Sequence, residues 1–257
     1  MKDGIVESKV PEVTVIFWII KVLATTLGET GGDAVSMSMN LGYSVSSAIF
    51  VGIFLISVAG QISVRKFHPF LYWFVVIATT TAGTTMADLA DRSLGIGYPG
   101  GSSLLFALLM ISLVVWYRSE GSISVNTVST PRVEVFYWTS ILFSQTLGTA
   151  LGDWMADTNG LGYEGGALVF GAGLLISAAA YYFTSVSRTA LFWVAFILTR
   201  PLGATLGDLL DKPLANGGMA FSRYTATAIL AALIVACVTL LPQRPGGHAG
   251  RPEAARI

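Results

Sequence analysis

The sequence is poor in charged residues, cysteine and histidine. Charged residues make up 12% of its 257 positions, against a usual share of about 25%, which is too little charge to cover a soluble globular domain. The formal net charge of +0 excludes a nucleic-acid binder, because such a protein needs a clustered basic face. A single cysteine, Cys237, rules out an internal disulfide. Hydrophobic residues instead make up 53% of the chain, and the mean hydropathy is +0.68, which indicates a polytopic membrane protein.

Eight apolar runs are long enough to cross a bilayer, which takes about 20 residues per helix. Stretches such as residues 103–116 are apolar all round and do not alternate with polar residues, so they predict helices and not the strands of a membrane barrel. The predicted fold is an all-α polytopic membrane protein whose partner is the lipid bilayer. The predicted spans are residues 13–32, 45–64, 70–89, 99–117, 134–153, 165–185, 189–208 and 219–241.

Lysine and arginine concentrate in the two tails and in the connections on one side of the predicted membrane. Because basic connections stay in the cytoplasm, both termini are predicted to be cytoplasmic. The C-terminal tail is rich in proline, glycine and arginine, a composition typical of disorder. The predicted organisation is a cytoplasmic tail over 1–12, a four-helix half over 13–118, a cytoplasmic linker over 119–133, a second half over 134–241 and a disordered cytoplasmic tail over 242–257.

A motif centred on tryptophan recurs four times. Trp18, Trp73, Trp138 and Trp193 are 55, 65 and 55 residues apart, and each begins the pattern W-x9-G-x3-[GA]-D. The chain is therefore four two-helix units in two pseudo-symmetric halves, and an even number of spans per unit makes the repeats parallel. The small residues of the motif are Gly28, Gly83, Gly148 and Gly203, followed by Gly32, Ala87, Gly152 and Gly207, and its aspartates are Asp33, Asp88, Asp153 and Asp208.

With this motif the chain resembles the bacterial membrane proteins built from four DUF347 repeats, each with two transmembrane helices and a tryptophan. The resemblance covers nearly the whole chain between the tails. It implies a multi-pass protein of the bacterial inner membrane. The four copies differ from one another at Lys21, Glu29, Gln145 and Arg200.

The small residues predict that the odd-numbered helices pack closely, because a four-residue spacing of glycines lets helix backbones approach. The four aspartates are then expected near a common axis. At 100° per residue, each aspartate shares a face of about 80° with the positions seven and eleven residues after the tryptophan. Glu29, Gln145 and Arg200 occupy such positions, and a polar face within a membrane points into the bundle or a water-filled cavity.

Further acids follow three of the four aspartates after three or four residues. Clustered carboxylates attract a cation or a proton, and oxygen ligands without nearby Cys or His favour Mn²⁺, Mg²⁺ or Ca²⁺. Local ion pairs with Arg92, Lys212 and Arg223 are the alternative role of these acids. The predicted ion-binding set is Asp33, Asp88, Asp153 and Asp208, hypothesised as metal ligands, with Glu29, Asp91, Asp157 and Asp211.

Two basic residues lie inside predicted spans. Arg200 is near the midplane and needs a partner, for which Glu29 has the matching depth, while Lys21 is closer to the cytoplasmic side. We predict that Lys21, Gln145 and Arg200 form a gate or coupling site. The four tryptophans are interpreted as an interfacial belt.

Three functions fit these features. The first is a transporter or exporter of a small cation, a divalent metal such as manganese or a proton-coupled ion, that uses the ring of aspartates. The second is a transporter of a small organic or anionic solute, and the third is a non-catalytic membrane scaffold. For each of the three, the sequence leaves a homo-oligomer open. An intramembrane aspartyl protease is disfavoured, because Leu-Gly-Asp at 151–153 and 206–208 lacks the first glycine of a G-x-G-D element. No enzyme activity, and no cofactor beyond a divalent cation, is predicted.

Overall fold

The computed structural model describes residues 5–158 and 160–249, and eight α-helices make up most of this part of the chain. Each predicted span corresponds to one helix, with ends that differ by a few residues. Seven of the helices are long and apolar enough to cross a membrane. The fifth does not reach that hydropathy, because it carries polar residues along much of its length. The helices are α1 (Val15–Asp33), α2 (Gly42–Ser63), α3 (Pro69–Asp88), α4 (Tyr98–Glu120), α5 (Pro131–Asp153), α6 (Gly162–Phe183), α7 (Arg188–Asp211) and α8 (Arg223–Leu240).

The odd-numbered helices form a closed inner ring. Helix α1 packs against α3 and α7, and α5 packs against the same two helices. Each even-numbered helix lies outside the ring on the first helix of the next repeat: α2 on α3, α4 on α5, α6 on α7 and α8 on α1. The apolar stretches of α1, α3 and α7 are 67%, 72% and 61% buried, whereas those of the outer helices are between 17% and 28% buried.

Small residues lie at each contact in the inner ring. A Cβ atom added to Gly203 would lie 2.5 Å from Cβ of Thr25 and 2.8 Å from its carbonyl carbon, so a larger residue has no room there. The first glycine of each motif meets the next helix in the same way: Gly28 against Thr80, Gly83 against Gln145, Gly148 against Arg200, and Gly203 against Thr25. The second small residue lies one turn further along, with Gly32 against Thr84, Gly152 against Ala204, Gly207 against Glu29, and Ala87 buried.

Three of the four repeats share one turn geometry between their two helices. In the first three repeats a single π-helical turn follows the aspartate, over Ala34–Ser38, Leu89–Ser93 and Trp154–Thr158. A Gly-Tyr pair then begins the second helix. Its glycine has a positive φ in every case, 70° at Gly42, 74° at Gly97 and 64° at Gly162, a conformation that favours glycine.

The two ends of the described chain pair as a small antiparallel sheet, which the sequence analysis missed. Strand β1 (Ile5–Pro11) pairs with β2 (Pro245–Ala249). The predicted disorder of residues 242–257 is therefore wrong for Pro245–Ala249, and residues 250–257 lie outside the described part. The composition is that of a disordered tail, but the partner strand is at the other end of the sequence.

Aromatic residues fill the ring next to this sheet. Phe17, Tyr72, Tyr137 and Phe192 are buried, and the hydroxyl oxygens of Tyr72 and Tyr137 are 2.7 Å apart. Beside them Trp73, Trp138 and Trp193 are only 2%, 2% and 4% exposed, whereas Trp18 is half-buried. Three of the four tryptophans thus pack inside the bundle and do not form the interfacial belt that was predicted.

Candidate functional site

The four motif aspartates lie at the same end of the inner ring. Asp33, Asp88 and Asp153 are the last residues of α1, α3 and α5, while Asp208 precedes the end of α7 by one turn. None of the four is more than 3% exposed. They are therefore held within the protein and do not lie in an open polar loop.

Arg92 connects two of these aspartates from different repeats. Its Nε atom is 2.8 Å from Oδ1 of Asp88, and its Nη2 atom is 3.0 Å from Oδ2 of Asp153. The first contact is local, since the two residues are four positions apart. The second joins repeat two to repeat three, so the pairing is more than the local ion pair expected from the sequence.

Lys212 makes the matching connection between repeats four and one. Its ammonium group pairs with Asp33 and lies 3.0 Å from Oδ1 of Asp208. Burial lowers the pKa of Lys212, but the negative charges of Asp208, Asp33 and Asp211 raise it by more than burial lowers it. The net pKa is therefore above its ordinary value. Lys212 is therefore protonated at neutral pH. Arg223 adds a further contact, 3.3 Å from Asp211 and 3.8 Å from Asp33.

Three carboxylates on α1 and α7 converge near Lys212. One oxygen each of Glu29, Asp33 and Asp208 lie within 4.8 Å of one another, and all three residues are buried. Oδ1 of Asp33 has no hydrogen-bond partner among the described residues. This is the oxygen-rich arrangement that hard divalent cations prefer.

Five of the eight predicted acids lie outside this three-carboxylate cluster. Asp88 and Asp153 pair with Arg92, and Asp211 pairs with Arg223.

The other two are Asp91 and Asp157. Asp157 is exposed and accepts a 2.9 Å hydrogen bond from the hydroxyl of Tyr98. Asp91 is half-buried and lies close to Gly101 at the start of α4. Both follow the motif aspartate within a π-helical turn, so the shared helix face expected from their spacing does not continue to them.

Arg200 lies where all four inner helices meet. Its Nη2 atom donates to Oε2 of Glu29 at 2.9 Å, to the Thr84 hydroxyl at 2.6 Å and to the Thr149 hydroxyl at 2.5 Å. These acceptors are on α1, α3 and α5, each eleven residues after a motif tryptophan. The same position on α7 is Ala204, whose small side chain leaves the centre of the ring to the guanidinium group.

Lys21 is also fully buried, and it reaches across the ring instead of towards the membrane surface. Its ammonium nitrogen is 3.4 Å from Oε1 of Gln145 and 3.3 Å from the hydroxyl of Thr199. It also lies 4.0 Å from the centre of the Phe196 ring. Lys21 has no carboxylate partner within the described residues.

Several residues of the site were not predicted from the sequence. Thr84 and Thr149 are common membrane-helix residues, and only their shared repeat position singles them out. Arg92, Lys212 and Arg223 stand near acids in the sequence, but their pairing across repeats depends on how the ring closes.

These features define the class of the protein: a multi-pass helical membrane protein built from an internal repeat. The family model described as Repeat of Unknown Function (DUF347) matches residues 16–67, 71–122, 136–187 and 191–242. The chain belongs to this family, as the recurring tryptophan motif predicts. No curated protein and no solved structure matches the chain.

Proposed function

We propose that the chain is a transporter of a small cation in the bacterial cytoplasmic membrane, with eight spans in two pseudo-symmetric halves. Helix α5 is taken as the eighth span. It has 23 residues, which at 1.5 Å each are about 34 Å long and sufficient for the bilayer core. Its polar residues Ser144, Gln145 and Thr149 are buried among the other inner helices, so they do not face lipid.

An even number of spans places both termini on one side of the membrane. The pairing of β1 with β2 supports this arrangement, since these strands lie at opposite ends of the chain. The excess of lysine and arginine on that side favours the cytoplasm. The layer of aspartates then lies towards the outer face.

The convergence of Glu29, Asp33 and Asp208, of which Asp33 and Asp208 pair with the Lys212 ammonium group, carries the proposal. Lys212 occupies the position at which a free cation would meet the Asp33 and Asp208 carboxylates. A divalent cation binds there by displacing the Lys212 side chain, so the lysine acts as a tethered competitor. This competition keeps the carboxylates neutralised between transport events and weakens binding enough for release.

The layers towards the cytoplasm close the inner ring in this conformation. On the cytoplasmic side of Asp33 and Asp208 lie the Arg200–Glu29 contact and then the buried tyrosine pair Tyr72 and Tyr137. Passage of a cation requires the positive charge of Arg200 to move off the centre of the ring. Pro201 follows it directly and lacks a backbone N–H, which weakens α7 at this point.

The test is Mn²⁺ binding and flux with purified protein, by calorimetry in detergent and by uptake into proteoliposomes. Lys212→Gln removes the competitor and is expected to bind Mn²⁺ more tightly than wild type. Asp33→Asn is expected to bind it more weakly and to lose uptake. Lys66→Gln, at an exposed lysine near the other membrane face, is the control and should match wild type. Normal uptake by Asp→Asn variants at all four motif positions would overturn the proposal.

A further inference from the structure

The middle of the inner ring holds two basic side chains and one acidic side chain. Lys21, Arg200 and Glu29 are buried there, and Glu29 accepts from Arg200. Lys21 contacts only neutral acceptors within the described residues. A buried ammonium group without an anionic partner is strongly unfavourable. A small anion beside Lys21 would supply the partner that the charged form of this side chain lacks.

Unpartnered donors lie beside the same charges. Nε and Nη1 of Arg200 and Nε2 of Gln145 make no hydrogen bond to any described residue, and both side chains are 0% exposed. Buried N–H groups are normally paired, so three such donors on two residues require an acceptor. Carbonyl and carboxylate acceptors of the described residues do not fill this role, which leaves it to water or to a bound group. The basic side chains of Arg200 and Lys21 beside these donors favour a bound anion.

The two cationic groups lie about one helical turn apart. Lys21 contacts Gln145 on α5, and Arg200 contacts Thr149 four residues further along the same helix. Four residues of helix rise about 6 Å, a gap that one small ion spans. The Phe196 ring against Lys21 makes one wall apolar, which favours a weakly hydrated ion over a strongly hydrated one such as phosphate.

We propose that one monovalent anion binds between Lys21 and Arg200, with Gln145 as a third donor. The ligand is an inorganic ion such as chloride or the carboxylate of a small organic acid, because both offer one charge and several acceptor positions. The Glu29–Asp33–Asp208 cluster meets this site at the Arg200–Glu29 contact, but none of its three carboxylates is among the anion's donors. The anion site therefore does not depend on the cation proposal.

The test compares the thermal stability of purified protein in sodium chloride, sodium formate and sodium gluconate at equal ionic strength. A ligand of the folded state raises the melting temperature. We expect chloride or formate to stabilise wild type relative to gluconate, which is too large for the site. A response to chloride, with or without one to formate, shows that a free inorganic ion occupies the site, and a response to formate alone assigns the site to an organic carboxylate. Radiolabelled chloride or formate should bind with one site per chain.

Two variants make the test specific. Lys21→Met is expected to weaken anion binding by at least about tenfold, since a charge-assisted hydrogen bond is lost. Gln145→Glu places a carboxylate beside Lys21, so it should be more stable than wild type in gluconate and no longer respond to chloride. Asp33→Asn should keep the anion response even where it loses the cation response. Equal stability of wild type in all three salts, or an unchanged response in Gln145→Glu, would overturn the proposal.

Discussion

The Nη2 atom of Arg200 lies 2.9 Å from Oε2 of Glu29, in a contact between α7 and α1 that is closed to lipid. Removal of one partner leaves the other charge buried and unpaired, which costs about 3–5 kcal/mol. We expect Arg200→Met and Glu29→Gln each to unfold at a clearly lower temperature than wild type in detergent. Circular dichroism at the helical wavelengths measures this change.

The double variant is the control for this prediction. Arg200→Met with Glu29→Gln removes both charges together, so it should recover part of the stability lost by either single change. Additive losses in the double variant would show that the two side chains do not interact.

The Arg200–Glu29 pair was predictable because the repeat gives the depth of each residue, and a charge within the membrane requires a partner at its own depth. The bridges made by Arg92 and Lys212 were not predictable in the same way. Each of these basic residues has an aspartate four positions before it in the sequence, so the sequence alone indicates only an ion pair within one turn of helix. Only closure of the ring places Asp153 against Arg92 and Asp33 against Lys212.

The glycine contacts of the inner ring give a second prediction. Gly203→Ala places a Cβ atom 2.8 Å from the backbone carbonyl carbon of Thr25, so α1 and α7 must separate. Such overpacking costs about 1–3 kcal/mol. Gly171→Ala, on the outer helix α6, is the matched control, because its Cβ meets nothing within 4 Å.

Thermal unfolding of both variants in the same detergent decides the outcome. Gly171→Ala should equal or exceed wild type, since alanine is the better helix former by roughly 0.5–1 kcal/mol. If Gly203→Ala were as stable as Gly171→Ala, the close approach at Gly203 would not be a constraint on the fold.

The ion pair between Lys9 and Glu134 gives a third prediction. Lys9 Nζ is 2.5 Å from Oε1 of Glu134 and donates to the carbonyl of Gln61 at 3.1 Å. This ties β1 to the ends of α5 and α2. Lys9→Met leaves the Glu134 carboxylate buried without its cation, so we expect the β1–β2 pair to lose protection in amide hydrogen exchange.

The double variant Lys9→Met with Glu134→Gln should recover part of the lost amide protection of the β1–β2 pair, because it no longer buries an unpaired charge. The inner helices should keep their protection in both variants. Unchanged exchange of residues 5–11 and 245–249 in Lys9→Met would show that the ion pair does not hold the sheet.

The helices could be predicted from the sequence, whereas the sheet could not. An apolar run of about 20 residues crosses a bilayer as a helix, because a helix satisfies its own backbone hydrogen bonds. The spans therefore follow from the lengths and positions of the apolar runs. Strands β1 and β2 contain charged, glycine and proline residues that carry no strand pattern, and their pairing depends on where the bundle brings the two ends. The burial of Trp73 and Trp138 could not be predicted from the sequence either. Tryptophan is enriched at membrane interfaces, but these two side chains fill the inner ring beside Tyr72 and Tyr137.

Crossing of the membrane by α5 gives the last prediction, which also tests the orientation. Arg132 lies in the first turn of this helix, and Leu161 lies between it and α6. Both are exposed, with 73% of the Arg132 side chain and 46% of Leu161 accessible. In a Cys237→Ser background, a membrane-impermeant maleimide applied to intact spheroplasts should label Leu161→Cys directly. Arg132→Cys should be labelled only after permeabilisation, because positive-inside topology places it in the cytoplasm. Labelling of both positions from the same side would show that α5 does not span the membrane, and the reverse pattern would invert the topology and place the aspartate layer at the cytoplasmic face.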